Sequence, residues 1–302
     1  MAQAPNCSFP RPTGPRCAQM GACMTQAALQ TTDLTLVESK ETLASKQKIT
    51  TFTEGTEGTF DFRLRFKNSE GDEVSPWHDI GLRPGQQGLL NMVVEIPKMT
   101  RHKMEVNTKE PSTPIAQDVK KGKLRDYHGP IFWNYGMFPQ TWEDPGLKHP
   151  ELEAFGDNDP LDAVEIGGEA LDMGSIEQVK VLGAFAMLDD GELDWKVICI
   201  RGEDPLAQDL HDIGDVEKKC PGVISGIREW FRWYKTPDSK PLNGFGFGEL
   251  ALDRARALEV VAETHEAWQR LREGTADKGK LWLPADKGTK SEVREVSEFM
   301  GA

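Results

Sequence analysis

The sequence lacks features that define several large classes of proteins. No run of apolar residues reaches the length of about eighteen that a membrane-spanning helix needs. Basic residues are in the minority, with 36 lysines and arginines against 49 aspartates and glutamates, so the formal net charge is −13. Nucleic acids and anionic membranes need clustered cations on their partners. We therefore expect a soluble intracellular protein that binds neither nucleic acid nor membrane.

Cysteine is scarce and forms no recognisable pattern. Three of the five cysteines lie near the N-terminus (Cys7, Cys17 and Cys23), and the others are Cys199 and Cys220. The number is odd and no CxxC pair or Cys/His zinc spacing occurs, which indicates free thiols in a reducing compartment. The sequence also has no GxxxxGK[ST] loop or kinase-type glycine loop, so nucleotide binding has no positive support.

Composition divides the chain into an N-terminal tail (1–49), one domain (50–275) and a C-terminal tail (276–302). The first 32 residues contain no acid and carry Arg11 and Arg16. This composition is compatible with part of an organellar transit peptide and equally with an ordinary tail. The cytoplasm is therefore one expected location, and a plastid or mitochondrial interior is the other.

Short strands dominate the predicted domain. Apolar residues alternate with polar ones from Phe60 to Phe66, as in a half-buried strand. Apolar residues at helical spacing occur only in the later part of the sequence, where they predict two helices. Gly274 ends the second of these helices. This order indicates a mainly β or α+β fold with an antiparallel or barrel-like sheet and not repeated βαβ units. The further candidate strands are 89–94, 103–106, 179–188 and 195–200, and the candidate helices are 223–235 and 258–271.

The segment Gly156–Asp162 carries the strongest local signal. It places Asp157, Asp159 and Asp162 within six positions, and Pro160 stiffens the turn. Three close carboxylates repel one another unless cations or solvent neutralise them. The segment is therefore either a metal site or a solvated acidic turn. It does not fit an EF-hand, because a leucine and a glycine occupy ligand positions.

Two candidate strands carry charged residues on one face. Asp194 and Lys196 alternate with apolar residues, and so do Lys103 and Glu105. Each strand alone could simply be exposed, but acids and bases together beside an acidic turn indicate a metal-bound anion. Hard oxygen ligands without histidine or cysteine select Mg²⁺ or Mn²⁺. We therefore predict phosphate chemistry.

Eight separated segments resemble the family I inorganic pyrophosphatases of the eukaryotic type. They follow the family's order over roughly residues 50–275, and such agreement is more specific than any single motif. The resemblance implies an OB-like five-stranded barrel with flanking helices and extra N-terminal strands, and a homodimer. The segments are Glu95-Ile96-Pro97, Lys103/Glu105, Lys121–Arg125, Asn134-Tyr135-Gly136, Pro139–Pro145, Asp157–Asp162, Asp189–Lys196 and Trp230–Lys235.

The same resemblance implies hydrolysis of inorganic pyrophosphate to two orthophosphates. Several Mg²⁺ ions, for which Mn²⁺ can substitute, would activate a water for in-line attack on phosphorus without a covalent enzyme intermediate. The implied metal residues are Asp157, Asp162, Asp194, Asp189, Glu105 and Glu95. The implied substrate residues are Lys103, Arg125, Tyr135, Lys196, Tyr234 and Lys235; Asp159 would orient or deprotonate the water, and Tyr135, Lys103 and Arg125 would assist catalysis.

One segment departs from the family's pattern. The family often has a tyrosine shortly before Asn-Tyr-Gly, where this sequence has Pro130 and Ile131. One hydroxyl is therefore missing from the expected site, and Tyr127 is a candidate substitute.

Three other functions remain as alternatives. A non-catalytic cation-binding protein would leave Lys103, Lys196 and Arg125 unexplained. An OB-type nucleic-acid module would share the fold but not the charge of −13. A metal-dependent nucleotide phosphatase is the nearest chemical rival, and comparing a nucleoside triphosphate with pyrophosphate as substrate separates the two.

Overall fold

The computed structural model describes residues 48–284 of the 302-residue chain. The proposed targeting segment and the three N-terminal cysteines lie outside the described residues. The predicted C-terminal tail lies outside them from residue 285 onward. The boundary expected between residues 49 and 50 stays a prediction.

Short strands dominate the described residues, and three α-helices accompany them. The strands are β1 (Thr50–Glu54), β2 (Arg63–Lys67), β3 (Glu73–Val74), β4 (Leu90–Ile96), β5 (Met104–Val106), β6 (Ile115–Gln117), β7 (Val119–Lys120), β8 (Lys123–Leu124), β9 (Asn134–Met137), β10 (Phe155–Gly156), β11 (Asp162–Glu165), β12 (Ile176–Asp189), β13 (Glu192–Arg201) and β14 (Gly244–Phe245). The helices are α1 (Ile213–Lys219), α2 (Val223–Trp233) and α3 (Arg254–Glu273), and 3₁₀ turns lie at Pro205–Gln208, Thr236–Asp238 and Phe247–Glu249.

Five strands close into a barrel. β13 pairs with β11, β11 with β9, β9 with β4 and β4 with β12, and β12 returns to β13. The β11–β13 pairing is parallel and the other four are antiparallel. β10 and β14 extend the sheet from β13 and β12. The predicted α+β fold with an OB-like five-stranded barrel and flanking helices is confirmed.

Gly136 permits a close approach between two barrel strands. A Cβ atom at this position would lie 2.0 Å from the carbonyl oxygen of Val93 on β4. No side chain fits at that distance, so any other residue would push β9 away from β4. The glycine of Asn134-Tyr135-Gly136 is therefore a packing requirement of the barrel.

A second sheet, with the strand order β1-β2-β6-β5 and β3 paired with β2, includes the predicted extra N-terminal strands. Phe62, Leu64 and Phe66 are buried, as their alternation predicts. Phe60 is 58% exposed, because the backbone turns at Thr59 and β2 begins only at Arg63. The start of this strand predicted at Phe60 is therefore wrong.

Helices α2 and α3 confirm the two helical predictions. α2 ends at Trp233, and Tyr234 and Lys235 follow its last turn. α3 is capped by the Asp253 carboxylate at its N-terminus and by Gly274, with a φ of 73°, at its C-terminus. α1 was not predicted, because its seven residues are too few to establish an apolar period. Within residues 48–284, no helix combines the length and the apolar character needed to cross a bilayer.

The chain after α3 packs back on the core. Leu281 and Leu283 are buried, and the backbone N–H of Trp282 donates to the Thr108 carbonyl oxygen at 2.8 Å. The Trp282 carbonyl oxygen lies 3.0 Å from Nε2 of His78, which is also buried. Burial lowers the pKa of His78 to about 3, so its imidazole is neutral. The first residues of the predicted C-terminal tail are therefore packed against the domain.

Candidate active site

A cavity of about 240 Å³ brings together every site residue that the sequence predicts. All five strands of the barrel contribute at least one of these side chains, so the barrel fixes their relative positions. The predicted residues that line the cavity are Glu95, Lys103, Glu105, Arg125, Tyr135, Asp157, Asp159, Asp162, Asp189, Asp194, Lys196, Tyr234 and Lys235.

Lys196 occupies the centre of an ion-pair network between β11 and β13. It is the register partner of Asp162, and Asp194 lies two positions earlier on the same face. Its Nζ donates to the carboxylates of both Asp162 and Asp194, and to the Tyr135 hydroxyl at 3.2 Å. Trp195 is buried in the core between them. The predicted alternation of charged and core-packing residues on this strand is confirmed, and the binding role of the charged face stays a prediction.

The acidic turn that precedes β11 is held by the segment before it. The Asp157 carboxylate accepts the backbone N–H of Asp159 at 3.0 Å. Asn158 has a φ of 74°, its N–H donates to the Glu143 carbonyl oxygen at 2.9 Å, and its side-chain oxygen accepts from the Trp142 indole at 3.1 Å. Asparagine tolerates this left-handed backbone. The turn is therefore fixed in a conformation that crowds its carboxylates.

Three carboxylates form a compact cluster at this turn. One oxygen each of Glu143, Asp157 and Asp194 lies within 4.8 Å of the other two. Burial and the like charge of neighbouring carboxylates raise the pKa of Glu143 and Asp157 well above the usual range, and raise that of Asp194 to about 7 despite its ion pair with Lys196. A cation would offset this repulsion, and oxygen ligands suit hard ions. The cluster could therefore hold a metal ion.

Asp159 extends from the same turn and lines the cavity. Although the residue keeps contact with solvent, loss of water around its carboxyl and the charge of Glu105 raise its pKa to about 7, against the opposing effect of Lys103. A carboxyl with this pKa can take up or release a proton near neutral pH.

Glu95 and Glu105 lie on neighbouring strands. Glu95 is buried on β4 and accepts the backbone N–H of Val106 at 2.7 Å. Burial and the charge of Asp162 raise the pKa of Glu95 well above its usual range. Glu105 pairs with Lys103. Both carboxylates therefore lie near Lys103, and Glu95 also lies near Asp162.

The end of α2 brings two further residues to the cavity. The Tyr234 hydroxyl donates to the Asp189 carboxylate at 3.1 Å. The Lys235 ammonium pairs with the same carboxylate, and the residue is buried. Asp189 ends β12, so this contact joins the helix to the barrel.

Lys103 and Arg125 share a carboxylate that the sequence analysis missed. Arg125 pairs with Asp118, and the Nζ of Lys103 lies 3.3 Å from the same carboxylate. Burial alone would raise the pKa of Asp118, but the charges of Lys103 and Arg125 lower it on balance. The carboxylate is thus ionised and holds two cations side by side at the cavity.

Comparison with known proteins identifies the family of this chain. The family described as inorganic pyrophosphatase matches residues 92–269. The chain belongs to the inorganic pyrophosphatase family. It is 50% identical over 231 residues to the protein of Arabidopsis thaliana named soluble inorganic pyrophosphatase 6, chloroplastic, and the match covers 76% of this chain and 77% of that protein.

Solved structures of the pyrophosphatase family share the fold. A type I inorganic pyrophosphatase from Toxoplasma gondii is 53% identical, with a TM-score of 0.72, and the match covers 74% of this chain and all of that one. An N-terminally truncated vacuolar soluble pyrophosphatase from Trypanosoma cruzi, in complex with PPi, is 42% identical with a TM-score of 0.72. This match covers 76% of this chain and 92% of that one.

The tyrosines of this pyrophosphatase all line the cavity. The chain has three, Tyr127, Tyr135 and Tyr234. Pro130 and Ile131 stand where the family often has another tyrosine, and Ile131 is fully buried in the core. Burial raises the pKa of all three tyrosines, so their hydroxyls keep their protons. Tyr127 packs edge-on against Trp230, with ring centroids 4.9 Å apart.

Sequence reasoning missed Asp118 and Glu143 as members of the site. Glu143 stood in the Pro139–Pro145 segment that resembles the pyrophosphatases, so a signal existed, but nothing in the segment indicates which side chain turns toward the acidic turn. Asp118 lies just before the basic run that ends at Arg125 and carries no motif of its own. Its position beside Arg125 follows from the β7–β8 hairpin, which brings the ends of this segment together.

Proposed function

We propose that this protein hydrolyses inorganic pyrophosphate to two orthophosphates, with Mg²⁺ as its cofactor and Mn²⁺ as a substitute. The observation that supports this proposal best is the pairing of opposite charges in one cavity. Carboxylates from the acidic turn and from β11 and β13 line the same cavity as Lys103, Arg125 and Lys235. Carboxylates suit hard cations, and lysine and arginine suit phosphate oxygens. A metal-bound phosphoanhydride satisfies both sets of charges.

The carboxylates divide into a central group and a peripheral one. Asp157, Asp162 and Asp194 would hold the most tightly bound Mg²⁺, because they converge from the turn, β11 and β13. Bound Mg²⁺ would lower the pKa of water and offset charge on phosphate oxygens. The carboxylates expected to bind further ions at the periphery are Glu105, Asp189 and Glu95.

The cations and hydroxyls would bind and orient the substrate. Arg125 can form two parallel hydrogen bonds to a phosphate group, and Lys103 lies beside it on the shared Asp118 carboxylate. Lys196 and Tyr135 are in hydrogen-bond contact, so they would contact the same phosphate. Tyr234 and Lys235 would bind from the side of α2. These donors offset the charge that grows on the leaving phosphate.

Asp159 would orient the attacking water and accept its proton. Its pKa of about 7 suits a group that exchanges protons near neutral pH. No serine, threonine, cysteine or histidine is among the described residues that line the cavity, which supports water as the nucleophile. Direct in-line attack by water would leave no covalent enzyme intermediate.

Tyr127 would supply the hydroxyl that the family's pattern places near Ile131. Its ring is held by Trp230 and Tyr234, and it lines the cavity. An alignment of positions alone would not show that Tyr127 provides this hydroxyl, because Tyr127 and Ile131 lie on different parts of the loop before β9.

The homodimer and the organellar location are also proposals. Family resemblance supports a homodimer, which light scattering on the purified protein would test. The name of the Arabidopsis relative, which includes the word chloroplastic, together with the acid-free composition of residues 1–32, supports a plastid location. Comparing the location of the tagged full chain with that of a chain starting at Met24 would test it.

The deciding experiment measures phosphate release from pyrophosphate by purified protein, with Mg²⁺ or with a chelator. We expect fast release that requires Mg²⁺ and is lost in Asp159→Asn and Asp194→Asn. A nucleoside triphosphate assayed in parallel separates the rival nucleotide phosphatase. No release from folded, Mg²⁺-saturated protein would refute the proposal and favour a non-catalytic cation-binding protein.

A further inference from the structure

Glu143 has a carboxylate oxygen without a hydrogen-bond partner in the interior of the protein. The residue is 3% exposed. Its Oε1 accepts the backbone N–H of Trp195 at 2.9 Å, which fixes the carboxylate against β13. Its Oε2 is buried and has no hydrogen-bond partner among residues 48–284. Leaving such an oxygen unpaired is unfavourable, and more so when the group is charged, so this atom needs a partner.

The surroundings of Glu143 identify the kind of partner. Its carboxylate belongs to the cluster in which one oxygen each of Glu143, Asp157 and Asp194 lies within 4.8 Å of the others. The nearby ammonium of Lys196 is hydrogen-bonded to Asp194 and Asp162. The partner of this oxygen is therefore a hydrogen-bond donor or a cation that residues 48–284 do not supply.

The spacing of the three oxygens fits one small divalent ion. Oxygens bound to Mg²⁺ at about 2.0–2.1 Å can lie up to about 4.2 Å apart on opposite sides of the ion. Mutual distances within 4.8 Å need only small side-chain rotations to reach this arrangement. Carboxylates that bind metal ions are commonly oriented by a hydrogen bond to one oxygen, which leaves the other oxygen available for the ion.

We propose that Glu143 is an additional ligand of the tightest divalent-cation site, binding the ion through Oε2 together with Asp157 and Asp194. This inference rests on the proposed metal-dependent function. It adds a residue from the segment before the acidic turn and gives a reason for a buried, unpaired carboxylate. The backbone contact to Trp195 sets the position of Asp194, so Glu143 also orders a second ligand.

The test measures Mn²⁺ binding by calorimetry, without substrate, in wild type and Glu143→Gln. Glutamine has the shape of glutamate, and its amide oxygen can still accept the Trp195 N–H, but the amide nitrogen that replaces Oε2 cannot bind a cation. We expect the affinity of the tightest site to fall about 10- to 100-fold. The thermal midpoint of the metal-free variant should equal or exceed that of wild type, because a crowded buried charge is removed.

Glu192→Gln is the matched control for loss of charge. Glu192 lines the same cavity but is exposed and lies outside the three-carboxylate cluster. We expect its Mn²⁺ affinity to stay within about 3-fold of wild type, since exposed charges interact weakly through solvent. Equal losses in both variants would mean that Glu143 acts only through charge, which overturns the proposal.

Glu143→Asp tests the position of the oxygen at constant charge, and it decides the matter if Glu143→Gln does not fold. A ligand role predicts weaker Mn²⁺ binding, because the shorter side chain withdraws the oxygen. Wild-type affinity in either folded variant overturns the proposal.

If wild type releases phosphate but Glu143→Gln binds Mn²⁺ normally, only the inference on Glu143 fails. If wild type binds Mn²⁺ through Glu143 but releases no phosphate, only the proposed reaction fails.

Discussion

The Nζ of Lys103 lies 3.3 Å from a carboxylate oxygen of Asp118, and the same oxygen accepts a hydrogen bond from Arg125. Asp118 therefore separates two cations that would otherwise repel each other and holds both at the cavity. Both cations are proposed to bind phosphate. Their orientation before the substrate arrives thus depends on a residue that need not contact the substrate.

We predict that Asp118→Asn lowers kcat/KM for pyrophosphate by roughly 10- to 100-fold, because misplaced binding groups lose orientation in the transition state. Steady-state phosphate release measures this effect. Asp126→Asn is the matched control, since Asp126 is exposed and pairs with His102 outside the cavity lining. Unchanged kcat/KM in Asp118→Asn would mean that Lys103 and Arg125 are positioned without it.

We predict that Tyr127→Phe lowers kcat/KM by roughly 2- to 10-fold, which corresponds to the ~0.5–1.5 kcal/mol of one hydrogen bond. The phenyl ring keeps the packing against Trp230, so the thermal midpoint should not change. Full activity in this variant would show that the Tyr127 hydroxyl does not replace the one missing at Pro130 and Ile131.

We predict that divalent-cation affinity falls as the pH is lowered from 8 to 6. The pKa of Asp194, a proposed ligand, is raised to about 7, and a protonated carboxyl is a poor ligand, so cation binding must release protons in this range. Calorimetry in buffers of different ionisation enthalpy counts the protons released. Proton release of zero at pH 6 would contradict the prediction.

The raised pKa values of Asp159 and Asp194 also determine how the stability of the folded protein changes with pH. Carboxyls whose pKa is raised on folding stabilise the metal-free protein below their unfolded pKa, and this contribution is lost as the pH rises through about 7. A bound cation stabilises the ionised form instead. The increase in thermal midpoint on adding Mg²⁺ should therefore be larger at pH 8 than at pH 6, and an equal increase at both would contradict this account.

We predict that His78→Ala destabilises the protein by about 2–4 kcal/mol at pH 7, because a buried ring and two hydrogen bonds are lost. The two bonds join His78 to the Trp282 carbonyl and the Trp268 indole. Thermal unfolding measures the change, and His128→Ala, at an exposed histidine, is the control. A destabilisation no larger than that of the control would contradict the prediction.

The pKa of His78 gives that effect a pH dependence. Its folded pKa is lowered to about 3, so its contribution is present above the usual pKa near 6.5 and is lost as the pH falls toward 3. The difference in stability between wild type and His78→Ala should therefore narrow between pH 7 and pH 4. A constant difference over this range would mean that protonation of the imidazole is not linked to folding.

Periodicity predicted the elements that have one buried face. The alternation at Phe62, Leu64 and Phe66 indicated β2, and the helical spacing indicated α2 and α3. Phe60 breaks the same alternation, because its position depends on the turn at Thr59 and not on the apolar pattern. The pairing of β4 with the distant β12, which the barrel also requires, followed from family resemblance, since pairing between strands far apart in the sequence leaves no periodic signal.

The sequence by itself determined the chemical types in the site. It supplied carboxylates for cations, lysines and an arginine for phosphate, and the alternation that turns Asp194 and Lys196 to one face. Only the tertiary structure decided that Asp118 lies between two cations and that Glu143 joins Asp157 and Asp194. The physical reason is that such contacts depend on strand register and chain crossings. For Glu143 they are set by the packing of the barrel, and for Asp118 by the β5–β6 and β7–β8 pairings, and no apolar period encodes either arrangement.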